Sequence, residues 1–231
     1  MSEMATQASR MCSAMGLPLI ADADTGYGGV LNVRRTVQEY ERAGVAALHI
    51  EDQVFPKRCG HFAGKAVIPM EEMVGKIRAA LEARTDPDLV IIARTDSRAV
   101  EGFDAAIRRA HAYEDAGADM LFVEAPQSIE EMRVITSSFR VPLVANMVEG
   151  GATPILPDAE LGELGYKVVL HAGSLLRDLK ILALRAGFLA AGTLRPAFSL
   201  LGAPNSDVTK LLTEPTVRGM IDLALASNHL G

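Results

Sequence analysis

Tryptophan is absent from this 231-residue chain, and aromatic residues make up only 5% of it. Any core must therefore be filled by aliphatic side chains, and a hydrophobic content of 49% is enough for a sizeable one. Cysteine is scarce: Cys12 and Cys59 are the only two, which excludes a disulfide framework in a chain of this size. No apolar run reaches the roughly 18 uncharged residues of a membrane-spanning helix. The longest apolar stretch, 174–191, is broken by Arg177, Asp178, Lys180 and Arg185. Basic residues are outnumbered, 23 Lys and Arg against 29 Asp and Glu, for a net charge of −6. A surface of that sign repels nucleic acid and acidic membranes, so neither is an expected partner. It does not exclude a small anion held by local cations or by a metal. The start of the chain lacks a basic segment followed by an apolar one, so no signal peptide is expected and the cytoplasm is the default compartment.

What the chain does contain is an alternation of short apolar runs and longer helical patterns. Strands are expected at 18–22, 46–50, 89–93, 120–123, 142–145 and 167–170, each rich in Val, Ile, Leu or Ala with little polar alternation. Such runs suit parallel strands covered on both faces. Helices are expected at 2–15, 32–43, 70–82, 102–116, 128–138 and 174–191, several of them stopped by glycine, as at Gly44 and Gly117. The segments ERAGVAALHIED (41–52) and EDAGADMLFVEAP (114–126) repeat one unit of amphipathic helix, glycine stop, apolar strand and acidic tip. Repeated βα units imply right-handed crossovers around a parallel sheet. Six such units are visible, against eight in a closed barrel of this type. The expected fold class is thus α/β, with an open six-stranded sheet and a barrel lacking its first two strands as the alternatives. The expected organisation is a barrel domain over 1–195 and a helical tail over 196–231.

Polar residues gather where the strands stop: Asp22 and Asp24, Glu51 and Asp52, Arg94 and Asp96, Glu124, Asn146, and His171. In a (β/α) barrel these ends share the rim that carries the chemistry. On an extended chain Asp22 and Asp24, two apart, face the same way. With Glu51 they place three carboxylates about one point, where mutual repulsion is relieved by a hard cation such as Mg²⁺. Helix capping by Asp24 and Thr25 is the competing explanation. The long loop that follows Glu51 groups Lys57, Arg58, Cys59 and His61. Cations beside a thiol lower its pKa, which favours a catalytic cysteine over a solvated basic loop or a zinc site. Arg94 offers a two-pronged donor for a carboxylate, or a structural pair with Asp96 or Glu124. Cys12, His49 and His111 are expected to be structural.

The pieces DADTGYGG at 22–29, IEDQ at 50–53, KRCGH at 57–61, ARTD at 93–96 and VEAP at 123–126, with Asn146 at a later strand end, run in order over roughly residues 2–192. Together they resemble the isocitrate lyase/phosphoenolpyruvate mutase superfamily. The cysteine in KRCGH resembles its lyase branch, of the methylisocitrate lyase and 2,3-dimethylmalate lyase type. The resemblance implies a (β/α)₈ TIM-barrel fold, here without its first two strands. It also implies Mg²⁺, or Mn²⁺ in its place, on Asp22, Asp24 and Glu51. Cys59 would be the catalytic acid/base, with Lys57 and His61 beside it. Gly60, Arg94, Glu124, Asn146 and Arg177 would surround the substrate. The implied reaction cleaves a small 2-hydroxy di- or tricarboxylic acid, such as 2-methylisocitrate or 2,3-dimethylmalate, to a 2-oxo acid such as pyruvate and a carboxylic acid. The implied assembly is a homodimer or homotetramer that exchanges the last barrel helix, 174–191. Two other readings stay open: an oxaloacetate decarboxylase or carboxyvinyl-carboxyphosphonate phosphorylmutase-like enzyme, and a shortened, inactive relative acting only through oligomer contacts.

Overall fold

The computed structural model describes residues 1–58 and 64–173. Cys59, Gly60 and His61, the helix expected at 174–191 with Arg177, and the boundary expected at 195 lie outside the described residues.

A helix, α1 (Ser2–Ala14), precedes the first strand, β1 (Ile20–Asp22). The chain then runs through α2 (Val30–Ala43), β2 (Ala47–Glu51), α3 (Met70–Ala83) and β3 (Val90–Thr95). It continues through the short α4 (Arg98–Glu101), α5 (Phe103–Asp115), β4 (Met120–Val123), α6 (Ile129–Ser138), β5 (Val144–Met147), α7 (Asp158–Leu164) and β6 (Val168–His171). β1 to β4 form one parallel sheet in sequence order, and β5 pairs in parallel with β6. A parallel bridge between Leu121 and Leu143 joins the two. An order that never reverses is that of a (β/α) barrel wall; a doubly wound sheet reverses at a switch point. No helix among the described residues is long and apolar enough to cross a membrane.

The helices form because their apolar residues recur on one face. In α2, Val33, Val37 and Tyr40 are spaced by four and three, and all are fully buried. Burying each aliphatic side chain contributes about 1.5–3 kcal/mol. Gly44, at φ 86°, ends the helix in a left-handed turn that a Cβ would strain. Cys12 of α1 is half-buried against the same core, as expected of a structural thiol. α7 was not expected from apolar periodicity. Pro157 ahead of it, Asp158 and Glu160 in its first turn and Gly165 behind it were its signals.

The strands divide by alternation into two faces. Ala21, Leu48, Ile50, Ile91, Ala93, Leu121 and Val123 join the helices' core, with Met73, Ile77, Ala106, Tyr113 and Met132 among it. The other face carries a separate apolar layer of Ala47, Ile92, Phe122 and Val144, flanked by Ile20, Val90, Met120, Val168 and Leu170. With a period of two, the next positions on that inner face are Asp22, His49 and Glu51, Arg94, Glu124 and Asn146. The polar rim thus stacks directly on the inner apolar layer.

Candidate active site at the strand ends

Asp22 closes β1, and the turn beyond it is held from several sides. Tyr40 donates to the Asp22 carbonyl at 3.0 Å, Thr36 to that of Gly26 at 3.2 Å, and Lys76 to that of Thr25 at 3.1 Å. Gly26 sits at φ 80° against Val33, where a Cβ would collide with the valine methyl. Asp24 does not continue the strand, as the extended-chain reading expected. It takes a left-handed φ of 48°, tolerable for Asp, and its amide donates to Asp22 Oδ1 at 2.8 Å. The competing role in capping is overturned: the N-cap of α2 is Gly29, with no side-chain cap bond.

Asp22, Asp24 and Glu51 nonetheless converge on one point, which the Lys57 ammonium occupies. Its Nζ lies 2.9 Å from Asp24 Oδ1, 3.5 Å from Asp22 Oδ2 and 3.7 Å from Glu51 Oε1. Glu51 is fully buried, and neither of its carboxylate oxygens has a hydrogen-bond partner. Burial pushes its pKa up to about 7, with Asp96 and Asp22 adding to the rise and Arg94 and Lys57 opposing it. Burial pushes Asp22 the same way, but His49, the Asp24 amide, Lys57 and Arg94 outweigh it and hold Asp22 below its ordinary value. Burial also pushes Lys57 toward the neutral amine, and the three carboxylates overcome it and keep the ammonium charged.

Arg94 forms the second half of the site. It donates from Nε and Nη2 to Asp96 at 2.9 and 3.2 Å. It approaches Glu51 at 3.4 Å and Glu124 at 3.7 Å, and its guanidinium lies over the Phe122 ring, 4.9 Å from the centroid. Both structural pairs anticipated for Arg94 are therefore present in a residue that also faces the rim. Asn146 donates to Glu124 at 3.2 and 3.3 Å, leaving its own buried Oδ1 without a partner. Ala125, next to Glu124, takes φ 56°, so a left-handed residue follows the strand end on β4 as well as on β1.

The loop after β2 is fastened at its base. Val54 N–H donates to the Ala66 carbonyl at 2.8 Å, Ile68 N–H to that of Asp52 at 2.9 Å, and Gln53 bridges Val67. The Gln53 amide exchanges two hydrogen bonds with the Arg58 backbone, at 2.8 and 2.9 Å. The rising arm of this loop brings Lys57 to the acidic centre. The returning arm brings Lys65, its side chain buried, to Asp96 at 3.2 Å.

Four residues beside the site were missed or underread. His49, expected to be structural, lies 3.7 Å from Asp22 Oδ1; its position two before Glu51 on one strand was the signal. Lys65 gives no signal without the fold, and Asp96 gives only its place at a strand end and in ARTD. Asp52 points the opposite way from Glu51 and accepts from Thr95 Oγ1 at 2.7 Å, Tyr113 Oη at 2.7 Å and the Asp96 amide at 2.8 Å. It ties the tips of β2 and β3 to α5. Tyr113→Phe is expected to lose one hydrogen bond to a buried carboxylate, about 2 kcal/mol. Urea denaturation should show the midpoint falling with an unchanged slope.

Among the described residues, no group of three or more His, Cys, Asp or Glu is disposed to hold a metal ion as it stands. The donor set nonetheless fits a hard cation: its ligands are carboxylate oxygens, two of them, on Glu51, are buried without a hydrogen bond, and a positive charge already sits at their focus.

The family model for phosphoenolpyruvate phosphomutase matches residues 1–187. The chain is 52% identical over 171 residues to 2,3-dimethylmalate lyase of Eubacterium barkeri, covering 74% of this chain and 59% of that protein. It is 50% identical over 171 residues to 2-methylisocitrate lyase of Shewanella oneidensis, with the same shares, 74% and 59%. The match thus spans about three-fifths of these curated relatives. A crystal structure of 2,3-dimethylmalate lyase, a PEP mutase/isocitrate lyase superfamily member, superposes with a TM-score of 0.77 at 36% identity, covering 99% of this chain and 75% of that one. A phosphonopyruvate hydrolase solved with oxalate and Mg²⁺ gives 0.71 at 30% identity, covering 100% and 78%.

Proposed function

The chain belongs to the phosphoenolpyruvate mutase/isocitrate lyase superfamily, and on that footing we propose that it acts as a Mg²⁺-dependent carbon–carbon lyase on a small 2-hydroxy di- or tricarboxylic acid. The observation that carries this reading is the juxtaposition of two features: Glu51, buried with neither oxygen hydrogen-bonded, and Arg94, 3.4 Å from it. One suits a cation and the other a carboxylate, and a 2-hydroxy acid needs both within one molecule's reach.

Asp22, Asp24 and Glu51 would hold the metal. When bound, Mg²⁺ would supply charge stabilisation for the substrate's hydroxyl oxygen as it loses its proton. Arg94, oriented by Asp96 and Phe122, would fix a substrate carboxylate by its two-pronged donor. Glu124 and Asn146 would line the opposite side, with the unpaired Asn146 Oδ1 free to accept from substrate. The bond between the hydroxyl-bearing carbon and its neighbour breaks. The hydroxyl proton leaves to a base, and the electron pair goes to the departing carbon. Cys59 would return a proton to that carbon, so a 2-oxo acid and a carboxylic acid are released. Lys57, His61, Gly60 and Arg177 belong to this proposal through the resemblance. So do a cytoplasmic location and assembly into dimers or tetramers through the segment 174–191.

The test is pyruvate release with Mg²⁺ from 2,3-dimethylmalate, 2-methylisocitrate and oxaloacetate, offered separately. Turnover of either hydroxy acid is the expected result. Pyruvate from oxaloacetate alone would replace the lyase with a decarboxylase.

A further inference from the structure

We propose that Lys57 is a resident substitute for the divalent cation, so that its ammonium and the metal exchange for one place among Asp22, Asp24 and Glu51. The inference rests on the metal reading above and concerns how that site is loaded. Nζ lies within 3.7 Å of an oxygen from each of the three carboxylates. A bound Mg²⁺ draws its oxygen ligands to about 2.0–2.1 Å and leaves no room for an ammonium among them. Three carboxylates about one point also repel one another. A cation contributed by the chain relieves that repulsion until a metal arrives, and the Glu51 oxygens, which accept no hydrogen bond, remain for the metal to take.

The supports of these groups differ in kind. Asp22 and Glu51 lie within hydrogen-bonded strands, and Asp24 is bonded to Asp22. Lys57 is carried on the loop, on a flexible four-carbon stem with 28% of its side chain exposed. The lysine can therefore leave without breaking the sheet, while the carboxylates stay. Its departure places a mobile positive charge at the rim only in the metal-loaded protein, the state that receives an anionic substrate. The cost of the exchange appears in affinity. If the lysine-out form is about one molecule in ten, apparent metal binding is weakened about tenfold.

The experiment titrates the 231-residue chain with Mn²⁺, reading free Mn²⁺ by electron paramagnetic resonance, for wild type, Lys57→Met, Lys57→Arg and Glu51→Gln. Lys57→Met should bind about tenfold more tightly than wild type, Lys57→Arg within about twofold of it, and Glu51→Gln should lose the site. In parallel, acetylation of Lys57 followed by mass spectrometry should be slow in chelator and several-fold faster with Mn²⁺ present. Wild-type binding without tightening in Lys57→Met, or Lys57 acetylation that ignores Mn²⁺, overturns the exchange and leaves the metal reading standing. No Mn²⁺ binding by the wild type overturns both.

Discussion

Glu51→Gln is expected to raise the stability of the chelator-treated chain by roughly 3 kcal/mol at about pH 8 while removing its response to Mg²⁺. Glu51 is fully buried, and burial lifts its carboxyl from 4.5 to about 7. Below about pH 4.5 the carboxyl is protonated in both folded and unfolded chains and contributes nothing. As pH rises from there to about 7, the unfolded carboxyl gives up its proton while the folded one keeps it. The folded state then binds more protons, so stability falls with rising pH and levels off above about 7. Glutamine escapes this penalty, because its neutral amide keeps the shape without a charge to bury. The gain should therefore fall below about 1 kcal/mol near pH 5, vanish near pH 4 and be complete near pH 8, as read by urea denaturation in chelator. Addition of Mg²⁺ at about a hundred times its Kd should stabilise the wild type by about 2.7 kcal/mol and the variant by nothing. An equal gain at low and high pH would show that packing, and not the buried charge, drives it. Such a result would remove Glu51 as the strained acid of the centre.

The fold was legible in the sequence because short apolar runs alternating with helical periods are local signals, and the candidate site was legible because strand ends are. The strand boundaries were displaced in a consistent direction. Strands were expected to stop at 50, 93, 145 and 170, and they run on through Glu51, Thr95, Met147 and His171. Hydrophobicity ends a strand at its first polar residue, whereas the ladder continues as long as the neighbouring strand does, as with Glu51 opposite Arg94. What the sequence could not reveal was pairing. Lys65 and Asp96 are 31 residues apart in sequence, and Asp52 and Tyr113 are 61 apart. Neither pair has a periodicity that would announce it. Lys57 illustrates the same limit. Its place in KRCGH suggested a partner for the thiol, whereas its described contacts are with the three acids proposed as metal ligands.

Arg94→Met should destabilise the chain by about 3–5 kcal/mol, the usual cost of removing one partner from a buried charge pair. Arg94 is almost fully buried, and Glu51, Asp96 and Glu124 all face it with fully buried side chains. Methionine keeps an apolar stem but loses the guanidinium over Phe122 and leaves these carboxylates without that cation. At 2–4 °C for each kcal/mol in a chain of this size, the thermal midpoint should fall by about 10 °C. The loss should shrink toward pH 5, because Arg94 is the first of the groups that hold the Glu51 carboxyl down, and a protonated Glu51 no longer needs it. Arg94→Lys separates the structural duty from the proposed binding duty. A lysine restores the charge and so most of the stability, but a single ammonium cannot bond Asp96 from two nitrogens and still present a fork to a substrate carboxylate. The expected outcome is a thermal midpoint near wild type with KM raised at least about tenfold, since losing one charge-assisted bond is worth about 1.4 kcal/mol or more. If Arg94→Lys binds substrate as tightly as wild type, Arg94 is a structural clamp alone, and the carboxylate must be held elsewhere on the rim.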